Sequence, residues 1–182
     1  AFLFKIPDDW SLEDAATMPV AYFTVYYAFF IKSSIQSGQS ILIHSGAGGL
    51  GLAAIQVALS YGLEVFTTVG NDEKKKFLLE KFPKLKAENI GNSRDTSFEE
   101  MIMEQTNYRG VDFVLNSLIE EKLRASLRCL AKGGVFLEVG KVEQQQELKM
   151  DIRGLFKDIS IVLVYAADAF GTEKGDVSTG MK

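Results

Sequence analysis

The residues with the clearest chemical bearing are Ser45-Gly46-Ala47-Gly48-Gly49-Leu50-Gly51. They follow the apolar run Ile41-Leu42-Ile43-His44 and lead into Leu52-Ala53-Ala54-Ile55-Gln56-Val57-Ala58, so a Gly-x-Gly-x-x-Gly pattern stands between a strand and a small-residue helix. In that setting Gly46 is expected to permit a tight turn, Gly48 to let a pyrophosphate approach the backbone, and Gly51 to let the helix sit close to the strand. The first helical N–H groups, around Ala47, Gly49 and Leu50, have no partner within the helix and face an anion with the positive end of its dipole. A merely structural glycine turn is the alternative, but it explains the glycines without the flanking pattern. The chemistry that fits both is dinucleotide binding.

The next strand decides which dinucleotide. An acidic residue at its carboxyl end would bind a ribose 2′-hydroxyl and repel a 2′-phosphate. That end reads Thr67-Thr68-Val69-Gly70, with no acid, and the helix beyond opens Asn71-Asp72-Glu73-Lys74-Lys75-Lys76. Thr68, Lys74 and, after the third strand, Arg94 are candidate cofactor contacts, which favours NADPH. Asp72 and Glu73 dilute the basic signal, and a lysine run at a helix start also reads as a solvated face.

The elements that must position these residues alternate between aliphatic runs and helical stretches, the pattern of a doubly wound parallel α/β sheet of Rossmann type. Six strands are expected: Ser40 to His44, Glu64 to Thr68, Ala87 to Ile90, Val111 to Asn116, Gly134 to Val139 and Ile159 to Val164. The unbroken hydrophobicity of Ile41-Leu42-Ile43 and Phe113-Val114-Leu115 predicts central strands covered on both faces. Helices are expected over Gly49 to Tyr61, Asp72 to Lys81, Ser97 to Thr106 and Ile119 to Ala131, with a short piece near Ile152 to Phe156. Asp72 and Thr96 are candidate caps, Gly62 closes the first of these helices, and Gly133-Gly134 separate the last long one from the fifth strand. Upstream, Ser11 to Ile31 reads as helical apart from a break at Met18-Pro19. The stretch from Gly171 onward, glycine-rich and polar, reads as a loop.

A chain of 182 residues, 47% hydrophobic and 24% charged, holds one sizeable core. The division expected is a lead-in segment over 1–36, a nucleotide-binding domain over 37–166 and a return segment over 167–182. A net charge of −4 with both signs interspersed excludes a broad nucleic-acid footprint, which needs a basic surface. One cysteine, Cys129, and one histidine, His44, give neither an internal disulfide nor a zinc set and point to a reducing, cytoplasmic compartment. The longest apolar stretch, Met18 to Ile31, is broken by Pro19, Thr24 and tyrosines, so no membrane span is expected.

Taken together, Ile43-His44-Ser45-Gly46-Ala47-Gly48-Gly49, Val65-Phe66-Thr67-Thr68-Val69-Gly70, Asn92-Ser93-Arg94-Asp95-Thr96-Ser97-Phe98, Gly110 to Leu118 and Phe136-Leu137-Glu138-Val139-Gly140-Lys141 resemble a known family. It is the zinc-independent enoyl reductase domains of the medium-chain dehydrogenase/reductase superfamily, found in animal type I fatty acid synthases and related polyketide synthases. Phe82-Pro83 leans toward the fatty acid synthase branch.

The resemblance implies hydride transfer from NADPH to the β-carbon of a trans-2-enoyl thioester, carried by an acyl carrier domain in a multifunctional, homodimeric synthase. It implies a nicotinamide held near Thr24 and by the loops after the fourth and fifth strands, at Asn116, Ser117, Val139 and Gly140, with Lys74 and Arg94 at the 2′-phosphate. For the proton donor it points to Lys141 and Asp168, both beyond carboxyl strand ends; as bare sequence, Lys141 near Glu143 also reads as a surface pair. Zinc-dependent members carry a ligand cysteine one turn before the threonine matched by Thr24, and that position is Val20. The resemblance also implies that a barrel-like substrate domain precedes Ala1, which leaves exposed apolar surface at the junction. A quinone oxidoreductase of the same superfamily and a non-catalytic nucleotide-binding module remain the alternatives.

Overall fold

The computed structural model describes residues 5–140 and 158–165. Within them lie helix α1 (Leu12–Tyr26), continued by a wider π turn (Tyr27–Ile31), then strand β1 (Ser40–Ile43), α2 (Gly49–Ser60), β2 (Glu64–Val69) and α3 (Asp72–Lys81). A short 3₁₀ turn (Ala87–Asn89) leads to β3 (Ile90–Asn92), followed by α4 (Phe98–Gln105), β4 (Val111–Asn116), α5 (Glu120–Arg128), β5 (Leu130–Glu138) and β6 (Ser160–Leu163). The expected helix near Ile152 to Phe156 and the loop from Gly171 lie outside the described residues.

The strands form one sheet in the order β3-β2-β1-β4-β5-β6, and every pairing is parallel. This is the doubly wound arrangement expected from the sequence, with its reversal of winding between β1 and β4. Residues of β1 alternate between two cores, as the two-residue period of a strand requires. Ile41 and Ile43 join Val65, Phe113 and Leu115 under α1, α2 and α3. Leu42 joins Phe66, Val114 and Phe136 under α4 and α5. All three β1 residues are fully buried, which accounts for the unbroken apolar run.

The structure departs from the sequence expectations at four places. Helix α1 runs through Pro19 without a break. A proline inside a helix costs about 3 kcal/mol, but Pro19 lies in the exposed half of α1, where a carbonyl without a partner meets water. The helix is held further along, where Val25, Tyr27, Ala28 and Phe29 are buried. The third strand starts at Ile90 rather than Ala87, because the Asn89 side chain donates to the Val65 carbonyl at 3.2 Å and occupies the place of a ladder bond.

The fifth strand begins at Leu130, before the glycine pair. Its register against β4 shifts between Val111 and Phe113, so Gly133-Gly134 sit inside an irregular strand, where glycine tolerates the bend. The caps shift too. Asn71, not Asp72, caps α3, its Oδ1 accepting from the Lys74 N–H at 3.0 Å. At the start of α4 the Asp95 carboxylate takes both the N–H and the hydroxyl of Ser97, and Thr96 contributes its carbonyl to Glu99 N. Gly62 does close α2, with φ +82°.

Candidate nucleotide-binding site

The glycine loop leaves β1 at the reversal point of the sheet and is built by steric necessity at two glycines. A Cβ on Gly46 would stand 2.1 Å from Thr67 Oγ1, and one on Gly51 would stand 2.3 Å from the Ser45 carbonyl oxygen and 2.7 Å from Gly46 Cα. The left-handed residue of the turn is Ser45, at φ +56°. Gly46 is therefore needed for close approach to β2 rather than for an unusual dihedral, which corrects the turn role expected for it. Gly51 has the expected role of bringing α2 against the loop.

Gly48 caps α2 in an extended conformation, and the first intrahelical bond runs from Leu52 N–H to the Gly48 carbonyl at 2.8 Å. The N–H groups of Gly49, Leu50 and Gly51 precede it and form the helix's open positive end. Those of Gly46 and Gly48 are already used, on Thr68 O and Ser45 O.

Beneath the loop, His44 is buried. Its Nδ1 lies 3.0 Å from Thr68 Oγ1 and its Nε2 lies 2.7 Å from Ser126 Oγ. The Ser126 hydroxyl donates to the Lys122 carbonyl, so it accepts from Nε2–H, and Nδ1 accepts from the Thr68 hydroxyl. Burial, and then the Lys122 charge, push the imidazole pKa from 6.5 down to about 3. His44 is a neutral strut joining β1, β2 and α5. Thr68 is correspondingly a support for the loop rather than a surface contact, because it is fully buried with its hydroxyl committed to His44.

A cavity of about 320 Å³ opens beside the loop, lined by Ser45, Ala47, Gly48, Val69, Gly70, Lys74, Ser93, Arg94 and Lys122. It brings Lys74 and Arg94, two of the candidate cofactor contacts, beside the glycine loop. Asp72 and Glu73 are not among its lining residues, and no described carboxylate is. Arg94 reaches back over Gly70, its Nε 3.4 Å from the Gly70 carbonyl.

Ser93 and Lys122 were missed by the sequence. Lys122 follows Glu120-Glu121 and reads as a solvated charge; only the placement of α5 at the carboxyl edge of β4 turns it toward the cavity. Its Nζ donates to the Ser93 carbonyl at 3.4 Å. This cradle, with free helix N–H groups and three cations, fits the pyrophosphate and phosphate of a dinucleotide.

The remaining candidates divide. The ends of β4 and β5 are drawn together, with Val139 N–H bonded to the Asn116 carbonyl at 3.0 Å, so Asn116, Ser117, Val139 and Gly140 do form one neighbourhood. The Asn116 side chain is not available there. It is fully buried, donates to Glu138 Oε2 at 2.7 Å and to the Leu118 carbonyl, and accepts from Leu118 N–H. The other Glu138 oxygen takes the Gly140 N–H at 2.6 Å. Ser117 is exposed beside this latch. Thr24 is half-buried on α1, its hydroxyl donating to the Val20 carbonyl at 2.7 Å, and it does not line the cavity. Lys141 and Asp168 lie outside the described residues.

Among the described residues a zinc ion finds no donor set. Val20 stands exposed on α1, both His44 nitrogens are bonded to hydroxyls, Cys129 is buried behind α5, and no three described His, Cys, Asp or Glu residues cluster as a metal site. Nor is any described helix long and apolar enough to cross a membrane.

A family model described as zinc-binding dehydrogenase matches residues 49–178. Among curated proteins, the highly reducing polyketide synthase anuA of Penicillium roqueforti is 53% identical over 139 residues, covering 76% of this chain and 6% of that protein. Among solved structures, the CurK enoyl reductase superposes with a TM-score of 0.82 at 36% identity, covering 94% of this chain and 50% of that one. The nucleotide-binding subdomain of the enoylreductase domain of PpsC from Mycobacterium tuberculosis gives 0.75 at 33% identity, covering 83% of this chain and 82% of that one. This chain thus spans a small fraction of its synthase relative and about half of the CurK enoyl reductase. These relatives turn the reading from a fatty acid synthase toward polyketide synthases. Phe82, whose Phe-Pro step leaned the other way, is a buried residue closing α3, a packing role that does not tell the two kinds of synthase apart.

Proposed function

This chain belongs to the zinc-binding dehydrogenase family, within the medium-chain dehydrogenase/reductase superfamily, and from that premise we propose that it is the NADPH-binding half of an enoyl reductase domain in a reducing polyketide synthase. The observation that carries the reading is the cavity in which the glycine loop, Lys74, Arg94 and Lys122 meet without a carboxylate among the described residues. The substrate is a trans-2-enoyl thioester borne by a carrier domain, and the other domains of the synthase are the partners.

When bound, NADPH supplies a hydride for the substrate β-carbon. The chain's own work is to hold and orient it. The N–H groups of Gly49, Leu50 and Gly51 receive the pyrophosphate, and Lys74 and Arg94 receive the 2′-phosphate. The loops at Asn116-Ser117 and Val139-Gly140, pinned together through Glu138, wall the nicotinamide end. Lys141 delivers the proton to the α-carbon, with Asp168 orienting it.

Titration of the chain with NADPH and NADH, followed by nicotinamide fluorescence, tests the cofactor. NADPH is expected to bind more tightly by about 10-fold or more, as a charge-assisted phosphate contact gives, and equal affinities overturn the assignment. Consumption of NADPH with a crotonyl thioester, in a polypeptide extended to include a substrate domain, tests the reaction. Tight NADPH binding without turnover there returns the reading to a non-catalytic nucleotide module.

A further inference from the structure

Three cations converge on the cavity from three elements: Lys74 from α3, Arg94 from the loop after β3, and Lys122 from α5 on the opposite face of the sheet. The arginines elsewhere in the described chain have acids to pair with, as in Arg109 with Asp112, Arg124 with Glu121, and Arg128 with Glu99 and Glu121. None of the three cavity cations forms an ion pair among the described residues.

Of the three, only Lys122 is half-buried. An ammonium carries three donors, and the Ser93 carbonyl takes one of them. The acids around Lys122 make their closest contacts with other groups. Glu121 pairs with Arg124 and Arg128, and Asp95, whose charge Lys122 does feel, gives its oxygens to Ser97 and Asn92 rather than to the ammonium. With no acid in ion-pair contact among the described residues, the ammonium keeps donors to spare beside the cavity, and an anion there would engage them. Gly70 adds to the design: a Cβ there would press to 3.2 Å from Arg94 Nε, so the glycine leaves room for the guanidinium above the strand end.

We propose that Lys122 is a specificity-determining residue of the nucleotide site, adding to Lys74 and Arg94 the positive charge that selects a 2′-phosphorylated adenosine over one with a free 2′-hydroxyl. The inference rests on the NADPH reading above. A phosphomonoester brings about −1.5 to −2 charges at neutral pH and three acceptor oxygens, which matches three converging cations. A free 2′-hydroxyl matches none of them.

The test compares NADPH with NADH, and 2′,5′-ADP with 5′-AMP, by calorimetry at one ionic strength, for the unaltered chain and for Lys122→Met, Lys122→Arg and Lys74→Ala. Methionine keeps most of the buried stem without the charge. Lys122→Met is expected to weaken NADPH and 2′,5′-ADP binding by about 10-fold, while NADH and 5′-AMP stay within about 2-fold. Lys122→Arg is expected to recover most of the loss. Retained NADH affinity in Lys122→Met also reports that the variant is folded. An equal loss for both members of each pair overturns the proposal and moves Lys122 to the pyrophosphate or to a packing role, and no loss at all overturns it too. If the unaltered chain itself does not prefer NADPH, the underlying cofactor reading fails. If the preference is present and disappears in Lys74→Ala but persists in Lys122→Met, only the role of Lys122 fails.

Discussion

The two ends of the parallel strands are finished in opposite ways. At the amino ends of β1 and β4, Asp112 accepts from both the N–H and the hydroxyl of Ser40 at 2.8 and 2.9 Å, and Arg109 clamps the same carboxylate through two bonds. Charge is matched there and the donors are used. At the carboxyl ends, the glycine loop leaves helix N–H groups open and three cations share a cavity that no described acid lines. Both ends are polar and both rest on the same buried strands. The difference is that one is closed by the protein itself and the other is left for a ligand to complete, which is where open α/β sheets bind.

The strongest way to break this contrast is to make one substitution at both ends. Gly51→Ala drives a Cβ into the Ser45 carbonyl and Gly46 Cα, backbone atoms that cannot step aside. It is expected to lower stability by about 1–3 kcal/mol in urea unfolding and to abolish nucleotide binding. Gly38→Ala, before β1, meets nothing within 4 Å and is strained only by its φ of +86°, so about 1–2 kcal/mol with nucleotide affinity intact is expected. If the two variants behave alike, the loop is not the crowded element described.

Removing the amino-end clamp comes next. Asp112→Ala leaves the Ser40 N–H and the Arg109 guanidinium without their acceptor, and about 1–3 kcal/mol of stability is expected to go, again with unchanged NADPH affinity. A weakened affinity would mean that the two ends are coupled through β1 and β4.

The smallest effect sharpens the carboxyl end. His44 is held neutral with a pKa near 3, against 6.5 for an ordinary histidine. Between those values the unfolded chain takes up a proton that the folded one does not, so the stability from His44 is full above 6.5 and declines as pH falls toward 3. About 1–2 kcal/mol is expected to be lost between pH 6.5 and 5. His44→Gln should flatten that part of a stability profile, and an unchanged slope would remove the histidine as its source.

The sequence made the scaffold legible where a local rule and the tertiary structure agree. The Gly-x-Gly-x-x-Gly spacing located the loop because steric crowding at Gly46 and Gly51 leaves no other residue type. The runs Ile41-Leu42-Ile43 and Phe113-Val114-Leu115 located the central strands because burial on both faces removes the usual alternation. It failed where a distant partner decides. Pro19 reads as a break until the burial of Val25 to Phe29 is known, and Asn89 reads as strand until its amide is seen on Val65. Thr68 and Asn116 sit at the right strand ends, but His44 and Glu138 turn their side chains inward. Lys122 gave no signal, since nothing in Glu120-Glu121-Lys122 says which way the first turn of α5 faces.

The Ser40–Asp112 bond joins residues 72 positions apart, and this sets a timetable for the nascent chain. β1 is made first among the strands but ends in the middle of the sheet, with β2 on one side and β4 on the other. At ordinary ribosomal speeds about 4–14 s pass between the emergence of Ser40 and that of Asp112. Throughout that interval Ile41-Leu42-Ile43 lacks its neighbour on the β4 side. The strand that is fully hidden once folding is done is thus also one whose pairing waits on a distant part of the chain.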